Sequence, residues 1–212
     1  MSLPALATAP TADPIKVAGF PPAVEGTVTI AGCFGAFLRR LVPMPAAYAD
    51  ARTAGIEVAA ALRAELYPRT HIDVSGVDHL IAGSVGKRTA VAPIRSVDLL
   101  YVLPPRLAAP RAADAVKIIA AVLRDRFAMA DADGTGAAVR REDMTVKVWP
   151  ARQQDGAFLM PSPATLDRAS GWSITNPIAE AATLRLSDSL YSGRPRLLLA
   201  ALKAWRLHGA VP

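Results

Sequence analysis

Two short segments of the chain combine residue types that could hold phosphate groups and a divalent cation. The first is Gly83-Ser84, followed closely by Lys87, and the second is the run Ser96-Val97-Asp98. Glycine lets the backbone approach a phosphate closely, while serine and lysine donate hydrogen bonds to phosphate oxygens. Asp98 offers the carboxylate oxygens that Mg²⁺ prefers. Together these residues indicate a site for a triphosphate beside a metal ion.

Such a site would support the transfer of a nucleotidyl group. The reaction needs a held triphosphate, an attacking hydroxyl in line with it, and metal ions that neutralise the developing charge. Carboxylates at alternate positions of one strand point to the same face, and a third acid on a neighbouring strand would complete a two-metal site. Because Gly-Ser pairs also occur in ordinary turns and single aspartates on ordinary strands, these two segments alone leave a purely structural role open.

The helices that would position these residues follow from the apolar periodicity. The pattern predicts four helices, over residues 27–40, 48–66, 112–129 and 195–207. The helix over 48–66 is expected to stop before Pro68, and the helix over 195–207 to carry Leu198, Leu202 and Trp205 on one side.

The strands are predicted from short apolar runs between turn residues. A near-continuous apolar run over residues 97–103 is typical of a buried strand, and residues 137–141 and 144–149 read as a hairpin. Residues 71–74 are interpreted as extended, 78–82 as the segment that leads into the Gly-Ser turn, 131–134 as a loop, and 151–180 as a loop-rich segment. This order predicts an α/β fold in which helices flank a mixed twisted sheet.

Composition limits the classes of protein to which the chain can belong. The formal net charge of +6 favours anionic partners such as nucleotides. Aromatic residues are few, so a surface for single-stranded nucleic acid is not indicated. Cys33 is the single cysteine, which excludes an intrachain disulfide and a cysteine-based zinc site, and the three histidines lack ligand spacing.

Membrane insertion and secretion are not indicated either. The longest apolar runs fall far short of the ~20 residues that span a bilayer. The N-terminus is rich in Ala, Pro and Thr and lacks the basic start of a signal peptide. We therefore expect a disordered leader over residues 1–25 and a cytoplasmic protein.

Segments along most of the chain resemble, in order and spacing, the bacterial CD-NTases, nucleotidyltransferases of the DNA polymerase β superfamily that are related to oligoadenylate synthase and cyclic GMP-AMP synthase. The segments that carry the resemblance are Gly83-Ser84-Val85-Gly86-Lys87-Arg88-Thr89-Ala90-Val91, Val97-Asp98-Leu99-Leu100-Tyr101-Val102-Leu103-Pro104, Val146-Lys147-Val148-Trp149-Pro150-Ala151, Asp155-Gly156-Ala157-Phe158-Leu159-Met160-Pro161, Gly171-Trp172, Thr175-Asn176-Pro177 and Leu202-Lys203-Ala204-Trp205. The resemblance extends from about residue 48 to residue 212.

The resemblance implies a polymerase β-like core that uses Mg²⁺ and nucleoside triphosphates such as ATP or GTP to make cyclic or linear signalling nucleotides in antiviral defence. Gly83 and Ser84 would cradle the triphosphate, and Asp98 would be the second acid of the metal-binding pair. Lys203 would reach the triphosphate from the final helix. Without the family argument, Lys203 could equally be a solvated residue beside a core Trp205.

The chain departs from the family pattern at the acids. Ser96 stands at the position of the first acid, and Lys147 stands at the position of the third, just ahead of Pro150. A shifted register does not restore the pair, because the second acid would then fall on Leu100. One hypothesis is that the Lys147 ammonium reaches Asp98 or the phosphate position and replaces a metal ion. The alternative is that Lys147 points to solvent.

The resemblance also implies a domain organisation. We expect a nucleotidyltransferase core over residues 26–193 and, over 194–212, the start of a truncated helical domain whose missing part a protein partner could cover. Three functions follow as alternatives: an active synthase of signalling nucleotides, a catalytically silent nucleotide-binding module, and a structural module that pairs with another protein.

Overall fold

The computed structural model describes residues 29–67, 78–107, 111–128, 130–162 and 170–208. The chain divides into two compact units, Met1–Phe37 and Leu38–Pro212. The described part of the first unit is residue 29 and the start of helix α1, where Phe34 and Phe37 form a tilted ring pair. The predicted leader over residues 1–25 and the extended segment over 71–74 lie outside the described residues. The predicted limits of the core and of the helical domain stay predictions.

Six α-helices and one 3₁₀ turn are present in the described ranges. They are α1 (Ile30–Leu41), α2 (Pro45–Leu66), α3 (Gly83–Gly86), the 3₁₀ turn Pro105–Leu107, α4 (Ala112–Arg126), α5 (Pro177–Leu190) and α6 (Arg194–His208). Proline occupies the first turn of both α2 and α5, where its missing N–H costs nothing. The side chain of Asn176 caps α5 by accepting a hydrogen bond from the Ala179 N–H at 3.0 Å.

The strands form one mixed sheet. They are β1 (His79–Ala82), β2 (Ser96–Val102), β3 (Ala130–Ala132), β4 (Ala137–Arg140), β5 (Thr145–Gln154), β6 (Ala157–Pro161) and β7 (Trp172–Thr175). The order is β1-β2-β5-β4-β3, and β6 joins the far end of β5 and pairs with β7. The β2–β5 pair is parallel, whereas the other pairs are antiparallel. The predicted mixed α/β fold is therefore confirmed.

The two faces of strand β2 have different neighbours. Val97, Leu99 and Tyr101 belong to the main core together with buried residues of α2 and α4. Leu100 and Val102 belong to a smaller cluster with Phe158 of β6. Because side chains alternate along a strand, Asp98 lies on the face of Leu100, away from α2 and α4. The sheet therefore presents Asp98 on the face that the main core does not cover.

Most of the predicted elements are present, and three predictions are wrong. Residues 131–132 belong to β3 rather than to a loop, and the segment 151–180 contains the end of β5, all of β6 and β7, and the start of α5. These strands are short and take their stability from pairing, which leaves little periodic signal. The third error concerns Trp205, which is 65% exposed, because α6 turns Ala200 and Ala204 inward instead.

None of the helices within the described ranges has both the length and the apolar character that crossing a membrane requires. The predicted cytoplasmic location stays a prediction.

Candidate functional site

Gly83 starts a single helical turn where strand β1 ends beside Asp98. Ala82 pairs with Asp98 across the β1–β2 ladder, and Gly83 follows with a φ of +57°. A Cβ atom at Gly83 would lie 1.9 Å from Asp98 Oδ2. Glycine is therefore required here both by the backbone conformation and by the close approach of the carboxylate. The structure brings together the two residues that the sequence singled out first.

The segment after Gly83 folds back on itself. The Thr89 N–H donates to the Ser84 carbonyl at 2.8 Å, and Thr89 is buried. A Cβ atom at Gly86 would lie 2.1 Å from the Ile81 carbonyl oxygen, so this turn lies against the preceding strand. Ser84 is half-buried within the turn. We call residues 83–89 the Gly-Ser turn.

Helix α6 reaches the Gly-Ser turn through Lys203. Its Nζ donates to the Thr89 carbonyl oxygen at 2.9 Å and to Thr89 Oγ1 at 2.7 Å. Burial lowers the pKa of Lys203, the charge of Lys87 lowers it further, and the charge of Asp98 acts in the opposite direction. Lys203, Lys87 and Asp98 are therefore close enough to interact electrostatically.

Lys87 is held in place by helix α5. Its Nζ lies 2.8 Å from Glu180 Oε2, and both side chains are partly exposed. This ion pair connects the Gly-Ser turn to the first turn of α5. Because a pair at the surface is weak, another anion could displace Glu180 from Lys87 at small cost.

Both carboxylate oxygens of Asp98 face protein groups. Trp149 Nε1 donates a long hydrogen bond of 3.5 Å to Oδ1, and Oδ2 lies against the Cα of Gly83. Trp149 stands on β5, which runs parallel to β2. The Trp149 indole therefore contacts one oxygen of the Asp98 carboxylate, and Gly83 contacts the other.

The two substituted acid positions lie on the same face of the sheet as Asp98. Ser96 is two residues before Asp98 on β2, and Lys147 is the direct partner of Asp98 on β5. Within the described part of the chain, Lys147 forms no ion pair with Asp98 shorter than 4 Å. The hypothesis that Lys147 pairs directly with Asp98 is not borne out by this geometry, whereas its action on a bound phosphate stays a prediction.

The charge of Lys147 acts on Asp133. Burial opposes ionisation of Asp133, but hydrogen bonds from Thr135 and Gly136 and the charge of Lys147 outweigh it and lower its pKa. Lys147 also lines a cleft of about 270 Å³ together with Asp133 and Trp149. Its side chain is exposed in this cleft, as the solvent-facing alternative predicted.

The residues at this site do not fit two bound magnesium ions. No group of three or more acid, histidine or cysteine side chains that could hold a metal is present among the described residues. Asp98 is the one acid at the three expected positions, and a lysine is its direct neighbour across the ladder. A cation at the third position repels a metal ion where the chemistry needs a carboxylate to attract it.

Two residues that organise the site could not be found from sequence patterns. Thr89 accepts both hydrogen bonds of Lys203 from 114 positions away, and Glu180 pairs with Lys87 from 93 positions away. Glu180 lies in the segment predicted to be loop-rich. The aligned segments include Thr89, but nothing in its residue type indicates that it would be a buried acceptor.

Solved CD-NTase structures are similar to this chain in fold. E. coli CdnC, in its complex with HORMA-deltaN, matches with a TM-score of 0.64 and 16% identity over 82% of this chain and 56% of that chain. The STING-associated CdnE c-di-GMP synthase from Capnocytophaga granulosa matches with a TM-score of 0.59 and 16% identity. The match covers 82% of this chain and 56% of that chain. The Bradyrhizobium diazoefficiens CD-NTase CdnG in complex with GTP matches with a TM-score of 0.57 and 12% identity. The match covers 77% of this chain and 52% of that chain.

The chain has a CD-NTase-like fold. The resemblance stated from the sequence is therefore confirmed at the level of the fold, and the fold is that of nucleotidyltransferases. This CD-NTase-like chain spans just over half the length of those structures. No protein-family model matches the sequence, and no curated protein is similar enough to match it.

Proposed function

We propose that this CD-NTase-like chain binds the triphosphate of a nucleotide such as ATP or GTP at the Gly-Ser turn and does not catalyse two-metal nucleotidyl transfer. The observation that carries the proposal is the convergence of Lys87 and Lys203 on this turn beside Asp98. The chain would thus bind a nucleotide without using it to synthesise a signalling nucleotide.

Electrostatics supports an anion between the two lysines. The charge of Lys87 lowers the pKa of Lys203, so the two ammonium groups repel each other. A phosphate group placed between them would replace this repulsion with two charge-assisted hydrogen bonds. The Ser84 hydroxyl would supply a further donor. Among the structurally similar proteins, E. coli CdnC was solved with ATP and B. diazoefficiens CdnG with GTP, which supports a nucleoside triphosphate as the ligand class.

The substituted acids argue against transfer. Catalysis by two metal ions needs carboxylates that bridge them, and the chain offers Ser96, Asp98 and Lys147 at the three positions. The Lys147 ammonium instead adds positive charge to the face on which the phosphates would lie. We therefore propose that nucleotide binding does not require a divalent cation.

Calorimetric titration of the chain with ATP tests the binding proposal. ATP is expected to bind in EDTA as tightly as in Mg²⁺. Lys203→Ala removes a charged donor and is expected to weaken binding by about tenfold. Ser84→Ala is expected to weaken it by about threefold, since one neutral hydrogen bond is lost. Lys117→Ala on α4, which removes an exposed lysine of equal charge, is the matched control.

Two outcomes of this titration would overturn the proposal. One is the absence of heat with the intact chain for both ATP and GTP. The other is binding that appears with Mg²⁺ and disappears in EDTA, because that result would restore a metal to the site.

A product assay tests the loss of catalysis separately. Labelled ATP and GTP are incubated with the chain in Mg²⁺ or Mn²⁺, and no cyclic or linear oligonucleotide is expected. If products form and Asp98→Ala abolishes them, the chain is a synthase of signalling nucleotides and the catalytic part of the proposal is wrong.

A protein-interaction module is the second candidate function, favoured by the exposed apolar side chains of the last two helices. Those side chains are Ile178, Leu186, Leu190, Leu198, Leu199, Leu202, Trp205 and Leu207, and Tyr191 is exposed between the two helices. Apolar patches of this kind mark interaction sites on soluble proteins. Sedimentation velocity tests it: concentration-dependent association that Leu202→Glu abolishes and Arg185→Glu leaves intact would support this candidate. A monomer at all concentrations would count against self-association.

A further inference from the structure

A second cleft lies beside the Gly-Ser turn, with none of the proposed nucleotide ligands in its lining. Its volume is about 350 Å³. The lining includes the apolar residues Val42, Pro43 and Leu197 and the polar residues Tyr48, Arg88 and Arg196. Ligand pockets are typically clefts of roughly 300–1,000 Å³ with apolar walls and a few converging polar groups. The cleft meets that description at the small end of the size range.

The polar groups of the cleft converge on one another. Burial raises the pKa of the Tyr48 phenol, while a hydrogen bond from the backbone of Ala90 and the charges of Arg196 and Arg88 lower it in part. Both guanidinium groups therefore lie within electrostatic range of the Tyr48 hydroxyl. These three side chains come from α2, from the Gly-Ser turn and from α6, so the fold brings them together.

Arg196 is fixed in its position. Its Nε lies 2.5 Å from Asp188 Oδ2, and its backbone N–H donates to Asp188 Oδ1 at 3.1 Å. The Asp188 side chain is only 11% exposed, so this carboxylate stays beneath the arginine. The contact between the two charges is made through Nε. A guanidinium held in this way can bind an anion without first losing conformational freedom.

The charge of the cleft is positive. Asp188 balances Arg196, whereas Arg88 is exposed, and no ion pair within 4 Å balances it among the described residues. No carboxylate occurs in the described lining of the cleft. Apolar walls combined with a net cation and a phenol are complementary to a ligand that carries both an apolar body and an anionic group.

We propose that this cleft binds a small amphipathic anion, which places its apolar body against Pro43 and Leu197 and its carboxylate or phosphate against Arg88, Arg196 and Tyr48. This proposal does not depend on nucleotide binding. Arg88 and Ala90 flank Thr89, so the cleft adjoins the candidate nucleotide site without using Lys203.

The experiment is a titration of the ¹⁵N-labelled chain followed by NMR, with octanoate and octyl phosphate as the anionic probes. Octan-1-ol and octylammonium are the probes that lack the negative charge. Both anions are expected to shift the amide signals near Tyr48 and Leu197. They are expected to bind about tenfold more tightly than octan-1-ol, because a charge-assisted hydrogen bond is gained. The stronger of the two anions identifies the head group.

Variants locate the site. Arg88→Ala changes an exposed side chain, so the fold should persist, and it is expected to weaken octanoate binding by about tenfold. Arg185→Ala on α5 removes an equal charge outside the cleft and should leave binding unchanged. Leu197→Trp is expected to fill the cleft and abolish binding. Lys203→Ala should leave octanoate binding intact, which separates this site from the nucleotide site.

Three results would overturn the proposal. The first is equal binding of octanoate, octan-1-ol and octylammonium, since the cleft would then be merely apolar. The second is a set of shifts confined to the exposed apolar residues of α5 and α6. The third is an equal loss of affinity in Arg88→Ala and Arg185→Ala.

Discussion

At the scale of single residues, Gly83 and Asp98 depend on each other. A side chain at Gly83 would collide with the Asp98 carboxylate, and the positive φ would strain any L residue there. The same contact keeps Asp98 Oδ2 against the backbone. Gly83 therefore leaves room for the Asp98 carboxylate because it lacks a side chain, whether or not it also contacts a phosphate.

Gly83→Ala is expected to lower the free energy of unfolding by about 2–3 kcal/mol, because it combines strain with a steric collision. Urea denaturation measures the loss. Gly156→Ala is the matched control: Gly156 also has a positive φ, of +76°, but nothing lies within 4 Å of its missing Cβ. The control should lose only about 1 kcal/mol from strain. Equal losses in the two variants would refute the steric explanation.

Restoring the acids should restore a metal site. Ser96→Asp combined with Lys147→Asp would place three carboxylates on one face around Asp98. The double variant is expected to bind Mn²⁺, detected by electron paramagnetic resonance, at least about tenfold more tightly than the natural chain. Lys117→Asp on α4 is the control for added negative charge. Equally tight Mn²⁺ binding by the natural chain would mean that the present residues already suffice.

At the scale of elements, hydrogen bonds to Asp133 stabilise the turn between β3 and β4. Asp133 Oδ1 accepts from the Thr135 N–H at 2.7 Å, from Thr135 Oγ1 at 2.8 Å and from the Gly136 N–H at 2.8 Å. These hydrogen bonds favour the ionised form and lower its pKa from the ordinary value of 3.8 despite partial burial. The hairpin that carries Ala138 beside Lys147 thus depends on one carboxylate.

Asp133→Ala is expected to lower the free energy of unfolding at pH 7 by about 1–3 kcal/mol. Because the pKa of Asp133 is lower in the folded chain than in the unfolded chain, its stabilisation is complete above the unfolded pKa and is lost as pH falls through the folded pKa. The difference between the two proteins should therefore shrink in acid. Denaturation at several pH values measures it, with Asp143→Ala as an exposed control. A pH-independent difference would contradict this explanation.

At the scale of the whole molecule, the fold connects distant parts of the chain at the Gly-Ser turn. Helix α6 contributes Lys203, helix α5 contributes Glu180, and β5 contributes Trp149 beside Asp98. These elements follow the Gly-Ser turn in the chain but surround it in space. A ligand at this turn would therefore stabilise the molecule well beyond its own contacts.

ATP at about 100 times its Kd is expected to raise the free energy of unfolding by about 2.7 kcal/mol, in EDTA as well as in Mg²⁺. Hydrogen exchange should slow in the Gly-Ser turn and in α6, while the β3–β4 hairpin should change little. Lys203→Ala should lose the protection in both places. Protection confined to the hairpin would show that the nucleotide binds elsewhere.

Elements whose signals are local could be predicted from the residues alone. The helical period of α2 and α4, the continuous apolar run of β2 and the β4–β5 hairpin were all predictable, because each depends on neighbouring residues. The resemblance in segment order also predicted the CD-NTase-like fold. The departures at Ser96 and Lys147 from the acids that the resemblance implies were predicted from residue types alone, and they stay predictions.

The contacts that join distant segments became apparent from the folded chain. The fold placed Lys203 on Thr89, Lys87 on Glu180, and Lys147 in the same cleft as Asp133. It also turned the small residues of α6 inward and left Trp205 exposed. The physical reason is that such contacts depend on the packing of elements, which no local pattern encodes, whereas the conformation of each helix or strand follows largely from the residues within it.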